Sequence, residues 1–456
     1  MNTTSSERQH KKMLETPVTK LLISLSIPTA ASQLITVIYN TADTWFVSKL
    51  SNEASAAVGI TFALMSIIQA CGFGFGMGCG SLISRRLGQK KDEEANIFAS
   101  SAFFAAAFIG AVIGIFGLLF LSPLMTLLGS TADILPYSMS YAKYILIGAP
   151  LSCASFVLNN ILRAEGEPKK AMYGMCIGGL INMVLDPIMI FSLDLGVAGA
   201  SIATVLSQII SFCILFSFFL RKQSIVLLDL RYCSKKVSVY GQILSTGFPT
   251  ICRQGLGSLS TALLNNKAKL YGSAAVAAIS VVGKLYNLVR NMIIGVGQGF
   301  QTIAGYNYGA GNKTRAKQAF YTACVIGTVV CLVFTGTLAL FSHQIISWFR
   351  DDPDVIEIGS HALLFYCATI PFMAYSTFVN QLYQCLGFRV RATFLASCRQ
   401  GIFFIPLVFL LPKFLELTGV SMIQPGADFL TFLISIPFQF YFCRVYLTDG
   451  TDSEAV

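Results

Sequence analysis

FASSAFFAAAFIGAVIGIFGLLFL, residues Phe98–Leu121, runs for 24 positions without a charged side chain. About 20 apolar helical residues cross the hydrocarbon of a bilayer, so this run is long enough to span one. Working outward, Leu21–Val47, Ile202–Leu220 and Ala319–Phe341 repeat the pattern, with Asp43 the only acid inside them. The whole chain is 54% hydrophobic and 12% charged, against roughly a quarter charged in a soluble domain. A soluble core cannot use that much apolar surface, because too little polar surface remains to cover it. Integral membrane helices can.

Apolar blocks divided by Pro, Gly and charge clusters predict twelve membrane helices, an all-α integral membrane fold. Their spans are 21–48, 55–82, 96–120, 136–163, 168–192, 196–221, 242–269, 275–303, 317–342, 357–385, 390–416 and 425–446. The polar stretch near the middle divides an N-lobe over 21–221 from a C-lobe over 242–446, with a cytoplasmic linker at 222–241. Residues 1–20 and 447–456 read as cytoplasmic tails. If the chain starts in the cytoplasm, 22 Lys and Arg fall on that face and six on the other. This is a positive-inside signal, and it implies an even number of spans. The first 20 residues are polar and no cleavable signal peptide is expected.

The net charge of +10 does not indicate nucleic acid, because the cations sit in short loops between apolar blocks. The 13 Cys form no CxxC pair and read as small packing residues. His10, His343 and His361 all lie away from segment centres, so neither a metal centre nor a histidine-based active site is expected. No GxxxxGK[ST] motif is present, which excludes ATP-driven transport by this chain, and no enzyme or cofactor is expected.

A shift of 221 residues superimposes Pro28 on Pro249, Gly74 on Gly295, Gly78 on Gly299, Pro150 on Pro371, Asn159 on Asn380 and Gly166 on Gly387. Each repeat holds six helices, so the two are parallel repeats about an axis along the membrane normal. Such a pair suits alternating access around a central cavity. The run Gly72-Phe-Gly-Phe-Gly-Met-Gly-Cys-Gly80 lacks GxGxxG spacing and a preceding strand; it reads as a thin helix for close packing or bending.

An ionisable side chain at membrane depth is a functional hypothesis by default. Asp43 and Asp186 lie well inside apolar segments at similar depth, and their repeat partners are Leu264 and Leu407. An ion site in one lobe explains that asymmetry. Asn182 is one turn before Asp186, Tyr39 and Asn40 share the turn of Asp43, and Tyr141 and Thr204 could complete the network. The two carboxylates could share a proton or give oxygen ligands to Na⁺; Asp43 and Asp186 would be metal ligands only in the second case. The second lobe carries Arg253, Lys284, Arg290 and Arg399 inside apolar segments. Arg253 and Arg399 are within snorkelling reach of the cytoplasmic side. Lys284, with Asn287 beside it, lies near the depth of the aspartates, and both are expected to line the substrate cavity with Tyr39, Asn40 and Arg253.

Tyr39-Asn-Thr-Ala-Asp43-Thr, Asn182-Met-Val-Leu-Asp186-Pro and Gly196-Val-Ala-Gly-Ala-Ser-Ile-Ala-Thr204 resemble the multidrug and toxic compound extrusion (MATE) family. Arg253-Gln-Gly, Gly297-Gln-Gly-Phe-Gln and Tyr306-Asn-Tyr-Gly-Ala are similar to its MepA-type bacterial members. The resemblance covers about residues 15–446. It implies twelve helices in two bundles and export of small organic molecules coupled to H⁺ or Na⁺. It also implies an ion site of Asp43, Tyr141, Asn182, Asp186 and Thr204, and Asn159 as a cavity-lining substrate contact. The acid of the NorM-like branch is absent from residues 242–269, which points to the DinF-like branch. A monomer in a bacterial cytoplasmic membrane, exporting amphipathic substrates, is expected. A lipid or oligosaccharide flippase of the same superfamily is the alternative. Two aspartates could also serve an intramembrane protease, but that leaves the repeat unexplained.

Overall fold

The computed structural model describes residues 3–446, and these residues hold helices and connecting loops with no strand. Met1, Asn2 and the expected tail at 447–456 lie outside the described residues. A short helix, α1 (Thr3–Glu15), precedes α2 (Val18–Ser48), α3 (Asn52–Gly88), α4 (Asp92–Leu119), α5 (Leu121–Leu127), α6 (Leu135–Ala164), α7 (Pro168–Pro187) and α8 (Gly196–Leu220). The second half contains α9 (Val237–Ala268), α10 (Ser273–Gly309), α11 (Lys313–Leu340), α12 (Ser342–Ser347), α13 (Pro353–Leu386), α14 (Arg389–Ser397) and α15 (Phe404–Tyr446).

Local chemistry sets the ends of these elements. The Ser51 hydroxyl accepts from the Ala54 amide at 3.0 Å and starts α3. Asp92, Glu93 and Glu94 occupy the first turn of α4, where the helix dipole favours acids. Pro353 follows the Asp352 cap of α13, and Gly387 ends that helix at φ 94°, a left-handed turn that suits glycine. The sequence repeat recurs in the helix limits. α3 and α10 are each 37 residues and α4 and α11 each 28, and in both pairs the starts are 221 apart.

Nine helices among the described residues are long and apolar enough to cross a membrane. α9 and α10 are long, at 32 and 37 residues, but interspersed polar residues lower their hydropathy. Residues 389–446 form a single 58-residue run, about 87 Å at 1.5 Å per residue and so sufficient for two passes. Glu416, at φ 49° and ψ −128°, breaks that run. Non-glycine backbone there is strained and persists only where packing enforces it.

The chain forms two compact units whose boundary falls inside helices and not in the linker. One unit takes the chain up to Glu15 and Ala31–Ile251; the other takes Thr16–Ala30 and the chain from Cys252 onward. Each half's first helix therefore divides close to its proline, Pro28 or Pro249. In the second unit, Thr29 donates to Gly295 O at 2.7 Å and Ser26 to Val296 O at 3.2 Å. In the first, a Cβ at Gly78 would come 2.1 Å from the Ile243 carbonyl, so only glycine allows α9 to approach. Its repeat partner Gly299 packs in the same way against Ser26. The glycine run is thus a close-packing surface.

The segment joining the two halves is strapped to the first unit. Glu165, fully buried, accepts from the Ser224 hydroxyl at 2.5 Å and from the Ile225 and Val226 amides at 3.1 and 3.0 Å. Gln9 of α1 donates to the Glu165 carbonyl at 2.9 Å, and Asn96 accepts from the Leu227 amide at 2.8 Å. Burial pushes the Glu165 carboxyl up from 4.5 to about 7, against the hydrogen bonds, which favour its charged form. The folded strap therefore binds a proton that the unfolded chain releases at lower pH. Its stabilising contribution is complete below about 4.5 and is lost as pH rises through about 7. Amide exchange at Ile225 and Val226, corrected for intrinsic base catalysis, should be faster at pH 8 than at pH 5. Glu165→Ala should raise it at both pH values by about tenfold, the loss of roughly 1.4 kcal/mol. Unchanged protection in the variant would remove Glu165 as the anchor.

Candidate functional site

In the first unit the five residues expected to hold an ion converge from α2, α6, α7 and α8. Asp43 and Asp186 are buried, 8% and 0% exposed, and lie within electrostatic range of each other. The Tyr141 hydroxyl donates to Asp43 Oδ2 at 3.1 Å. Asn182 Nδ2 donates to Asp186 Oδ1 at 3.2 Å and approaches Thr204 Oγ1 at 3.4 Å. The one-turn spacing of Asn182 and Asp186 on α7 puts them on one face. Directly after Asp186, Pro187 ends regular α-helix and a π-helical turn follows over Ile188–Ser192; such turns recur at functional positions.

Three oxygens of this cluster have no hydrogen-bond partner: Asp43 Oδ1, Asp186 Oδ2 and Asn182 Oδ1. No Lys, Arg or His forms an ion pair with either carboxylate among the described residues. A buried carboxylate without a counter-charge is unstable, and two neighbouring ones cannot both stay ionised. The free oxygens of the cluster are hard donors of a kind that suits a proton or a small cation.

A cleft beside the cluster is lined by Tyr39, Asn159, Asn182, Thr204 and Gln208 among others. Asn159 lines it with an amide already in use: Nδ2 donates to Ala171 O at 2.9 Å and Oδ1 accepts from Arg163. Its repeat partner Asn380 donates to Ala392 O at 2.7 Å across the same spacing of twelve, so this asparagine clamps two helices in each half. Asn40 donates to Thr36 O at 2.8 Å within its own helix.

The second unit corrects one reading of the sequence. Arg399 does not snorkel. It is buried in a π-helical turn, Cys398–Ile402, with Nε 2.6 Å from Asp428 Oδ1. Asp428 is 1% exposed and also accepts from Tyr286 and from Gln424 at 3.0 Å. Arg399 also donates to the Tyr286 hydroxyl, and the Tyr286 ring packs edge-on to Tyr366 at 5.1 Å. The expected span 425–446 puts Asp428 near a helix start, whereas the helix runs back towards the break at Glu416 and places Asp428 well inside α15. Gln424 and Asp428 share the amide-x-x-x-acid spacing of Asn182 and Asp186, and that spacing was the available signal. Lys284 and Asn287 are exposed on α10, while Arg253 and Arg290 are half-buried.

The sequence pattern of the MatE family matches residues 28–188 and 248–410, once in each half. Multidrug export protein MepA of Staphylococcus haemolyticus is 27% identical over 407 residues, covering 89% of this chain and 90% of that protein. Among solved structures, an outward-facing multidrug resistance MATE family transporter of the MOP superfamily is 26% identical. It superimposes with a TM-score of 0.90 over 95% of this chain and 98% of its own. A MOP superfamily transporter from Pyrococcus furiosus, described as having a binding pocket of reverse polarity suggesting a different function, is 25% identical. Its TM-score is 0.90, over 96% of this chain and 98% of its own.

Proposed function

The chain belongs to the MatE family, and from that premise we propose that it exports small organic molecules of the multidrug type by alternating access, in antiport with H⁺ or Na⁺. It is a multi-pass membrane transporter and not an enzyme, with small-molecule substrates. The observation that carries the coupling reading is the pair of buried carboxylates in the first unit, each with an unpartnered oxygen and neither in an ion pair among the described residues. Leucines at their repeat positions, Leu264 and Leu407, confine this chemistry to one half. A proton or Na⁺ entering from the outside would neutralise one charge of the pair and remove the repulsion, and releasing it would restore two repelling charges. That difference is the free energy a transport cycle can use.

Everted vesicles carrying the protein should accumulate a cationic dye such as rhodamine 6G when a pH or Na⁺ gradient is imposed. Accumulation of neither rhodamine 6G nor the anionic 6-carboxyfluorescein above control membranes under either gradient would overturn the export reading. The cation distribution, 22 to 6, supports a bacterial cytoplasmic membrane with both termini inside. Cysteines placed at Ser5 and Asp452 should accordingly resist an impermeant maleimide in intact cells; reaction of either would overturn that orientation.

A further inference from the structure

Three arginines of the second unit have one carboxylate among them. Arg399 takes it: Asp428 is saturated by Arg399, Tyr286 and Gln424. Arg253 on α9 and Arg290 on α10 lie within electrostatic range of each other and of Arg399. Neither forms an ion pair among the described residues. Arg290 reaches only Asn287 Oδ1, at 3.4 Å, and its Nε is buried with no partner. A cleft within this unit is lined by Arg253, Ser376, Asn380, Arg399, Gln400 and Thr431, and Ile294, one turn on from Arg290, lines it too. The Asn380 amide is tied to Ala392 O, so the guanidinium groups are the strongest donors left there.

Three guanidinium groups share one carboxylate in this apolar helical unit: Asp428 pairs with Arg399 and also acts on Arg290, and one acid cannot offset all three. Like charges repel, and each is costly out of water. A ligand that brings an oxyanion removes both penalties, and the planar fork of an arginine matches a carboxylate through two parallel hydrogen bonds. We propose that Arg253 and Arg290 form an oxyanion subsite in the second unit that binds the carboxylate of an amphipathic organic acid or zwitterionic substrate. Arg399 forms its positive wall; Asp428 keeps that side chain fixed, so it adds field without collapsing onto the ligand. This deepens the export reading and rests on it, adding substrate charge. The cation-coupling cluster of the first unit and this subsite are then separate parts, one for the driving ion and one for the cargo.

The test reads binding by the full-length protein in detergent, so failure of gradient-driven transport would overturn the export reading and leave this result standing. 6-Carboxyfluorescein and rhodamine 6G share a xanthene core and differ in charge, and fluorescence anisotropy gives an affinity for each. The double variant Arg253→Gln, Arg290→Gln should weaken carboxyfluorescein binding by about 10- to 100-fold, as expected for losing charge-assisted bidentate bonds. Rhodamine 6G should bind as before. Lysine at both positions, which keeps the charge but loses the fork, should recover part of the affinity. Unchanged carboxyfluorescein binding in a variant with wild-type elution and thermal midpoint overturns the proposal, as does an equal loss for both dyes. Should the glutamine variant fail to fold, the unmutated protein still decides. Laurate must displace the bound carboxyfluorescein and dodecylammonium must not; equal displacement by both overturns the subsite. A lipid headgroup offers the same oxyanion chemistry, so phosphatidylglycerol is titrated in parallel. Displacement by phosphatidylglycerol and not by laurate assigns the pocket to lipid and overturns the substrate assignment.

Discussion

Gradient-driven efflux should collapse in Asp186→Asn, while substrate binding in detergent survives. The side chain is 0% exposed and has one oxygen without a partner, so the substitution removes charge with little change in volume. A neutral amide can neither exchange a proton nor neutralise Na⁺. Coupling free energies of 1–3 kcal/mol correspond to about 5- to 150-fold, and a loss at the upper end is expected because the two buried carboxylates act as one unit. Asp43→Asn should behave alike, since Tyr141 and Asp43 close the other side of the cluster at 3.1 Å. The double variant should be no worse than either single one, because residues that act as a unit are not additive. Running the assay with a pH gradient and no Na⁺, then the reverse, identifies the ion. Wild-type gradient-dependent transport by the double variant, at wild-type expression, would sink the ion site.

Removal of Asp428 should damage folding instead. Asp428→Asn leaves Arg399 buried and charged with no counter-ion; breaking a buried pair from one side costs about 3–5 kcal/mol. The pair is 10% and 1% exposed at its two side chains, so water does little to offset the loss. A large drop in thermal midpoint and in purified yield is expected. The apolar pair Arg399→Met with Asp428→Leu should recover most of the stability, because a buried ion pair is often no better than packed hydrocarbon. Asp428→Asn with an unchanged midpoint would show that Arg399 finds another partner or reaches water. This prediction separates the two clusters: the first unit's acids should govern transport with little effect on folding, and the second unit's acid should govern folding.

Much of the molecule was written in the chain. Apolar runs such as Phe98–Leu121 need no partner to be read as membrane helices, because the solvent for their side chains is lipid and the backbone satisfies itself. The 221-residue repeat returned in the helix limits of α3 with α10 and of α4 with α11, since caps, prolines and glycines act locally. Asp43 and Asp186 could be singled out because an isolated acid in an apolar run stands apart from its surroundings. Asn182 could be placed beside Asp186 by the one-turn spacing on α7, whereas Tyr141 and Thr204 were open to the network and were assigned to it by the family resemblance.

Partnership across helices was not legible in the same way. Arg399 and Asp428 lie 29 residues apart on segments separated by a break at Glu416, and linear order does not say which buried cation meets which buried acid. Asn159 reads as a polar residue available to a ligand until Ala171 and Arg163 are seen to occupy its amide. The linker likewise reads as a tether until Glu165 is seen accepting from Ser224, Ile225 and Val226. The division of each half's first helix near Pro28 or Pro249 is not signalled by any residue pattern, because it depends on which backbone lies flush against Gly78 or Gly299. Hydropathy and caps are properties of a segment and its solvent, so the sequence alone determined the span pattern, the repeat and the isolated acids. Which donor satisfies which acceptor is a property of packed neighbours, and only the tertiary structure decided that Arg399 takes Asp428 while Arg253 and Arg290 form no ion pair among the described residues.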